Sequence, residues 1–294
     1  ANINFGAAWS QAGAVTLMAG GNNTTTTFSG IVQNGSGTVA LTKVGTGTWT
    51  LSGANTYSGL TTVTAGVLDA QSNAALGTTA GATTVAAGAA LQVDGAGLLI
   101  AEPLTLNGTG IAGSGALRNL ANSNTWSGAI TLGSAARINS DAGTLTVSNT
   151  IGGATQALTL GGAGNTTVSG VIGTTTGTLT KDGSGTATLS GNNTYTGSTT
   201  VSAGTLLVNG AQGSSAVSLN GGTLGGTGTV GATPRSVSRA SASRAASASG
   251  WGSRARSRRP RPAIPDCWYW MIRSPPSTSR PSITASRATS APRR

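Results

Sequence analysis

Histidine is absent from this chain, cysteine occurs once, at Cys267, and the first 232 residues contain one proline, Pro103. A single cysteine excludes a disulfide framework or a cysteine-built metal site within one chain. The longest apolar stretch, around residues 98–101, is far short of the roughly 20 residues that a membrane-spanning helix needs. No transmembrane segment is expected. Charge is also scarce and unevenly placed. Residues 1–232 carry Lys43, Arg118, Arg137 and Lys181 against Asp69, Asp94, Glu102, Asp141 and Asp182, a net charge of −1. Residues 233–294 carry thirteen arginines, no lysine and Asp266 as the one carboxylate, a net charge of +12. The basic pI of the whole therefore belongs to the tail.

The first segment is rich in Gly, Thr, Ser, Ala and Asn, with Val and Leu at short intervals. Such a composition disfavours helix, whereas Thr and Val suit a pleated surface and Gly and Asn suit tight turns. High Gly with low hydrophobicity also occurs in disordered chains, but these apolar residues are periodic, which disorder would not require. An all-β fold follows.

The periodicity is part of a long internal repeat. Residues 43–70, KVGTGTWTLSGANTYSGLTTVTAGVLDA, match residues 181–208, KDGSGTATLSGNNTYTGSTTVSAGTLLV, at 18 of 28 positions without a gap. Looser similarity extends upstream (28–43 against 168–181), and the Asn-Thr-Trp-Ser-Gly run at 124–128 echoes the Asn-Thr-Tyr-Ser-Gly run at 55–59. Within each copy the apolar period is two, broken by glycines such as Gly53, Gly59, Gly66, Gly191, Gly197 and Gly204. Short strands separated by corners are implied. Asn55 and Asn193 hold equivalent positions, where asparagine is expected to adopt a left-handed turn or bond its own backbone.

Strands of four or five residues cannot bury enough surface alone, but stacked coils bury a continuous column of aliphatic side chains. A parallel β-solenoid meets that need, with coils of roughly 20 to 25 residues, on the order of ten coils in all, and neighbouring coils about 4.8 Å apart. Leu51, Val63, Leu68, Leu189, Val201 and Leu206 are the expected inward residues. A β-sandwich or barrel is the alternative, but it has no reason to repeat a 28-residue phrase.

The phrase K-x-G-x-G-T-x-T-L-S-G-x-N-T-Y-x-G-x-T-T-V-x-A-G-x-L, at 43–68 and 181–206, closely resembles the autotransporter passenger-associated β-strand repeat. That resemblance implies a right-handed parallel β-helix, displayed at or shed from the surface of a Gram-negative bacterium. It also implies a β-barrel of the same protein as partner in the outer membrane, and a role as stalk or adhesin towards a host-cell or glycan surface. Neither an export signal nor the amphipathic strands of a barrel is evident, so the chain reads as a fragment or an interrupted gene product. The expected domains are a β-helix over 1–232 and a disordered Arg/Ser/Pro-rich tail over 233–294.

Near residue 234 the Gly-Thr rhythm gives way to Arg, Ser, Ala and Pro. A frameshift in a GC-rich gene is hypothesised, since alternative frames there would favour Arg without Lys. Translating the other two frames tests it: resumed β-helix sequence in one supports the idea, and its absence from both defeats it. A rival reading takes Arg254, Arg256, Arg258, Arg259 and Arg261 as a nucleic-acid or anionic-surface patch, with Trp268, Tyr269 and Trp270 as stacking groups. Arginine-rich segments bind phosphates through counterion release, but no recognition module is present, and no specific nucleic-acid partner is expected.

Catalysis needs positioned acids, bases or nucleophiles, and the five carboxylates of the repeat region are scattered along the sequence, as solvated surface charges would be. No catalytic, cofactor-binding or metal-ligating residue is assigned, and no cofactor. A β-helical carbohydrate-active enzyme is the alternative; it would gather carboxylates and cations on one face. The G-x-G-x-x-G matches at 108–113 and 226–231 sit in no βαβ unit. Residues 161–165 approach a calcium-binding nonapeptide but lack its Asp, so no calcium site is expected. Trp49, Tyr57, Trp126 and Tyr195 are read as packing residues rather than exposed contacts for glycans. Threonine-rich runs at 24–27 and 174–176 raise an ice-binding array, which needs T-x-T in register on successive coils, and the sequence shows no such register.

Overall fold

The computed structural model describes Ile3–Asn4 and residues 13–231, which belong to one compact unit. The basic tail, with its expected disorder and its arginine patch, lies outside the described residues.

The strands named here form parallel ladders, as period-two segments joined by glycine corners require. Each coil has three faces. The first carries Val39–Lys43, Thr61–Val63, Thr83–Val85, Leu104–Gly108, the start of Ile130–Ser140, Ile151–Gly152 and Ile172–Gly173. The second carries Thr48–Leu51, Val67–Ala70, Ala90–Asp94, Leu117–Ala121, the end of Ile130–Ser140, Leu158–Gly161, Leu179–Lys181, Thr199–Val201 and Val217–Leu219. The third carries Leu99–Ile100, Ser123–Trp126, Thr144–Val147, Asn165–Val168, Thr186–Leu189, Thr205–Val208 and Thr223–Gly225. About ten coils are stacked, as expected. Their length varies: Ile130, Ile151 and Ile172 follow at intervals of 21, whereas Thr199 pairs with Val217, only 18 residues on.

The six expected inward residues are all fully buried. They join columns such as Leu68, Leu91, Leu117, Ile138 and Leu160, in which each rung rests on the one before. Fully burying a Leu or Val stabilises by about 1.5–3 kcal/mol relative to exposure, and every rung repeats the gain. The corner glycines serve two needs. Gly66 has φ +65°, and a Cβ on Gly53 would lie 1.9 Å from the carbonyl oxygen of Gly30 in the preceding coil. Only a residue without a Cβ lets successive corners approach so closely.

The two copies of the 28-residue phrase do not lie on the same faces. Thr61 stands in the ladder that continues through Thr83, Leu104, Ile130, Ile151 and Ile172. Its counterpart Thr199 stands in another, through Leu179, Leu158 and Ala136. Likewise Leu51 is on the second face and Leu189 on the third. The separation of the copies is not a whole number of coils, so the phrase is rotated by one face. Each phrase is thus a corner-and-strand module that fits wherever the three-sided section presents a corner.

The last described rungs are the most open: Val217–Leu219, Thr223–Gly225 and Thr229–Val230 are largely exposed. Amide exchange should be fastest there and slowest in the middle coils. Equal protection of residues 217–230 and of 130–172 would contradict this.

Candidate functional site

Stacking gathers most of the charge on the outside of the second face. Asp69 and Gln92 are aligned on successive rungs, and Arg118 and Asn139 continue the line. Thr50 donates to Asp69 Oδ2 at 3.1 Å, and Gln71 Nε2 donates to Asp69 Oδ2 at 3.0 Å and to Asp94 Oδ2 at 3.4 Å. Further along, Arg118 Nε donates to Asp141 Oδ2 at 2.8 Å. Arg137 clasps Asp182 through both terminal nitrogens, at 2.6 and 2.8 Å, and also donates to Asn139 Oδ1, whose amide nitrogen reaches Asp141 Oδ1 at 2.6 Å. The residue between Arg137 and Asp182 on this face is Gly161; a Cβ there would lie 2.1 Å from Arg137 Nη2.

The expectation of scattered, solvated carboxylates is therefore corrected in two respects. Asp69 and Glu102 are buried, at 4% and 3% exposure. Burial pushes the Asp69 carboxyl up to about 6, against the opposing effect of the Thr50 hydrogen bond, and pushes Glu102 up to about 8. The bonded partners Arg118 and Asp141, and Arg137 and Asp182, lie 23 and 45 residues apart in sequence and meet because the ladder aligns residues of different coils. No short-range sequence signal marks them.

This strip is a structural network by its chemistry. Both arginines are held by carboxylates, so neither is free to stabilise developing negative charge. Among the described residues no group of three or more His, Cys, Asp or Glu side chains could hold a metal ion.

Two lysines are inside the solenoid wall. Lys43 and Lys181 are 0% and 2% exposed. Lys43 Nζ donates to the carbonyls of Val44 and Gly45, both at 2.8 Å, and to Ala65 of the next coil at 3.1 Å. Lys181 repeats the arrangement with Asp182, Gly183 and Ala203. Desolvation lowers both ammonium pKa values. The invariant spacing from lysine to glycine in the two phrases, 43 to 66 and 181 to 204, now has a reason, because a Cβ on Gly66 or Gly204 would lie 2.7 or 2.8 Å from the Nζ.

Asn55 and Asn193 also differ from expectation. Neither has positive φ among the residues that do, and neither bonds its own backbone. Each is buried and accepts from the preceding coil, Val32 N to Asn55 Oδ1 and Ile172 N to Asn193 Oδ1, both 2.8 Å. Asn55 Nδ2 also donates to Ala75 O at 2.6 Å, whereas Asn193 Nδ2 finds no acceptor in the protein. Asn55→Ala should therefore cost about 1 kcal/mol more than Asn193→Ala, one net hydrogen bond. Equal losses in urea denaturation would refute the inequality. Tyr57, Tyr195 and Trp126 are fully buried and Trp49 nearly so, in agreement with packing; the tyrosine hydroxyls bond Thr61 and Thr199 at 2.6 and 2.8 Å.

The third face is uncharged, and, as expected, T-x-T does not recur on successive coils: it stands at 144–146 and 186–188, with rungs that begin in Ser123 and Asn165 interposed. Ser123-Asn124-Thr125, Thr144-Leu145-Thr146, Asn165-Thr166-Thr167 and Thr186-Ala187-Thr188 lie rung upon rung, each 21 residues after the last. The middle residue of each triplet is buried and the flanking ones face outward.

The profile of the passenger-associated-transport-repeat family matches residues 41–70 and 179–208. The chain is also 42% identical over 92 residues to a protein named adhesin BmaC autotransporter, from Brucella suis biovar 1 (strain 1330); that stretch is 31% of this chain and 2% of the relative. No solved structure matches the chain.

Proposed function

We propose that this chain, which carries two passenger-associated transport repeats on a parallel β-helix, is a segment of an autotransporter passenger that serves as a non-catalytic stalk with an adhesive surface. The observation that carries the reading is the phrase itself: its two copies supply the glycine corners, the buried lysines and the inward columns that hold the coils together. In the intact protein an outer-membrane β-barrel would be its partner, and its place would be the cell surface or the exterior of a Gram-negative bacterium. A stalk needs a rigid, repetitive support, and parallel coils whose rungs each bury their own aliphatic residues provide it. The partner that such a stalk meets would be a host-cell or glycan surface.

Protease treatment of intact cells tests the location. An antibody raised against residues 13–231 should lose its signal after shaving of unbroken bacteria; a signal lost only after lysis would defeat the reading. Adhesion is tested separately, by coating beads with the purified chain and counting attachment to epithelial monolayers, where attachment no greater than that of albumin-coated beads would remove the adhesive role.

A further inference from the structure

From the outer side of the second face we infer that this chain binds a calcium ion, held by Asp69 and Asp94 together with the side-chain amides of Gln71 and Gln92. The inference goes beyond the stalk reading and does not depend on it. Gln92 is the ladder partner of Asp69, and Asp94 follows Val93, the partner of Ala70, so Asp94 stands one rung over Gln71. The four residues are thus the corners of one patch, the acids on one diagonal and the amides on the other. Its sides are about 4.8 Å between rungs and about 6.6 Å along the strand. Both acids reach for the same point: Asp69 Oδ2 and Asp94 Oδ2 each accept from Gln71 Nε2, at 3.0 and 3.4 Å.

The state of Asp69 points to a ligand. The residue is 4% exposed, and its Oδ1 is buried with no hydrogen-bond partner in the protein. Oδ2 already takes Thr50 from the rung before and Gln71 from its own strand end. A cation held through both oxygens would satisfy the one that the protein leaves bare. No protein cation does so among the described residues: Arg118 and Arg137 are paired with Asp141 and Asp182, and the two lysine ammoniums are enclosed by carbonyls. Two like charges on adjoining strands, one of them buried, cost stability unless a charge of opposite sign joins them. The fold itself does not require the acid, because the second phrase carries Leu207 at the position of Asp69 and its coil stacks as well.

The donor set selects the ion. Only oxygen donors converge here, with neither imidazole nor thiolate, which disfavours zinc and copper. No described residue bonds the Gln92 amide, and a half-turn of the Gln71 amide presents its Oε1 in place of Nε2. The partner of Asp94 on the next rung is Ala121, too short to close the patch from that side. Gln71, Gln92 and Asp94 are half-buried, so water can complete the shell. Calcium takes about six to eight oxygens in irregular geometry, whereas magnesium demands an octahedron and keeps its waters. With two carboxylates rather than three or four, the affinity should be modest, a dissociation constant of about 0.1–1 mM.

The test is thermal melting of the full chain, stripped with EGTA and then titrated with calcium chloride at constant ionic strength. The melting temperature should rise by about 3–6 °C at a tenfold excess of calcium over its dissociation constant, and magnesium at the same concentration should do much less. Asp94→Asn keeps the size and removes one charge; it should melt no lower than the parent without calcium and should lose the response. Asp182→Asn gives up an ion pair elsewhere on the same face, so it should melt lower and keep the response. Terbium places the ion independently. Trp49 is the ladder partner of Leu68, next to Asp69, so tryptophan excitation should sensitise bound terbium, and folded Trp49→Phe should lose most of that emission. A melting temperature indifferent to calcium overturns the inference. So does an equal rise with magnesium, or with added sodium chloride, which would be charge screening alone. A full calcium response in Asp94→Asn, or undiminished terbium emission in Trp49→Phe, would put the ion elsewhere and overturn it as well.

Discussion

Replacing Lys43 by methionine should destabilise the solenoid by about 3 kcal/mol, since it strands buried backbone acceptors that no other donor reaches. The side chain is fully buried, and its ammonium closes a corner by joining Val44 and Gly45 of one coil to Ala65 of the next. Methionine keeps the apolar stem and removes only the donor, so the loss reports the hydrogen bonds rather than a cavity. Lys181→Met should behave alike, because the second corner has the same three acceptors one phrase later. The damage should be local as well as global. In a solenoid each rung contacts chiefly its neighbours, so amide exchange should accelerate around residues 64–67 in the first variant and 202–205 in the second. Chemical denaturation midpoints that coincide with the parent in both variants would show that the carbonyls are satisfied by other means.

A second large effect depends on pH. Glu102 is buried, and its Oε1 finds no donor in the protein; burial holds its carboxyl up to about 8 against an ordinary 4.5. A carboxyl with a raised folded-state pKa keeps its proton longer when folded than when unfolded. The unfolded chain therefore loses that proton first, and folding stability falls as pH rises from about 4.5 through about 8. Asp69, raised from 3.8 to about 6, acts in the same direction over a lower and narrower window. Glu102→Gln removes the ionisation while keeping size and shape. The variant should match the parent near pH 4 and exceed it above pH 8, by about 1–3 kcal/mol, the usual cost of a buried polar group without a partner. Melting temperatures measured across pH 4–9 would decide it; parallel curves for the two proteins would mean that Glu102 titrates in water as an ordinary carboxylate.

Much of the interior was legible before any coordinates. Leu51, Val63 and Leu68 recur as Leu189, Val201 and Leu206 in a phrase whose apolar period is two, and inward placement follows from that period alone. The aromatic residues could be read as packing for the same reason. Lys43 and Lys181 were not legible as buried groups, because a lysine beside a glycine corner looks the same whether it faces water or carbonyls. Asn55 and Asn193 were misread because turn asparagines usually serve their own backbone, whereas a stacked corner offers them the unpaired N–H of the coil before.

Which outward residues share a surface is a different kind of question. Coil length is set by how many residues each corner takes, and it varies: 18 residues separate Thr199 from its partner Val217, and 26 separate Leu104 from Ile130. The assembly of Asp69, Arg118, Arg137 and Asp182 on one face, the line of Thr125, Thr146, Thr167 and Thr188 on another, and the rotation of the second phrase relative to the first all depend on that count. The amino-acid sequence by itself determined the parallel stacked architecture, since period-two aliphatics and close-approach glycines leave few other ways to bury them. Only the tertiary structure decided the surfaces, because hydrogen-bond register between coils, and no local pattern, chooses the neighbours of every side chain that points outward.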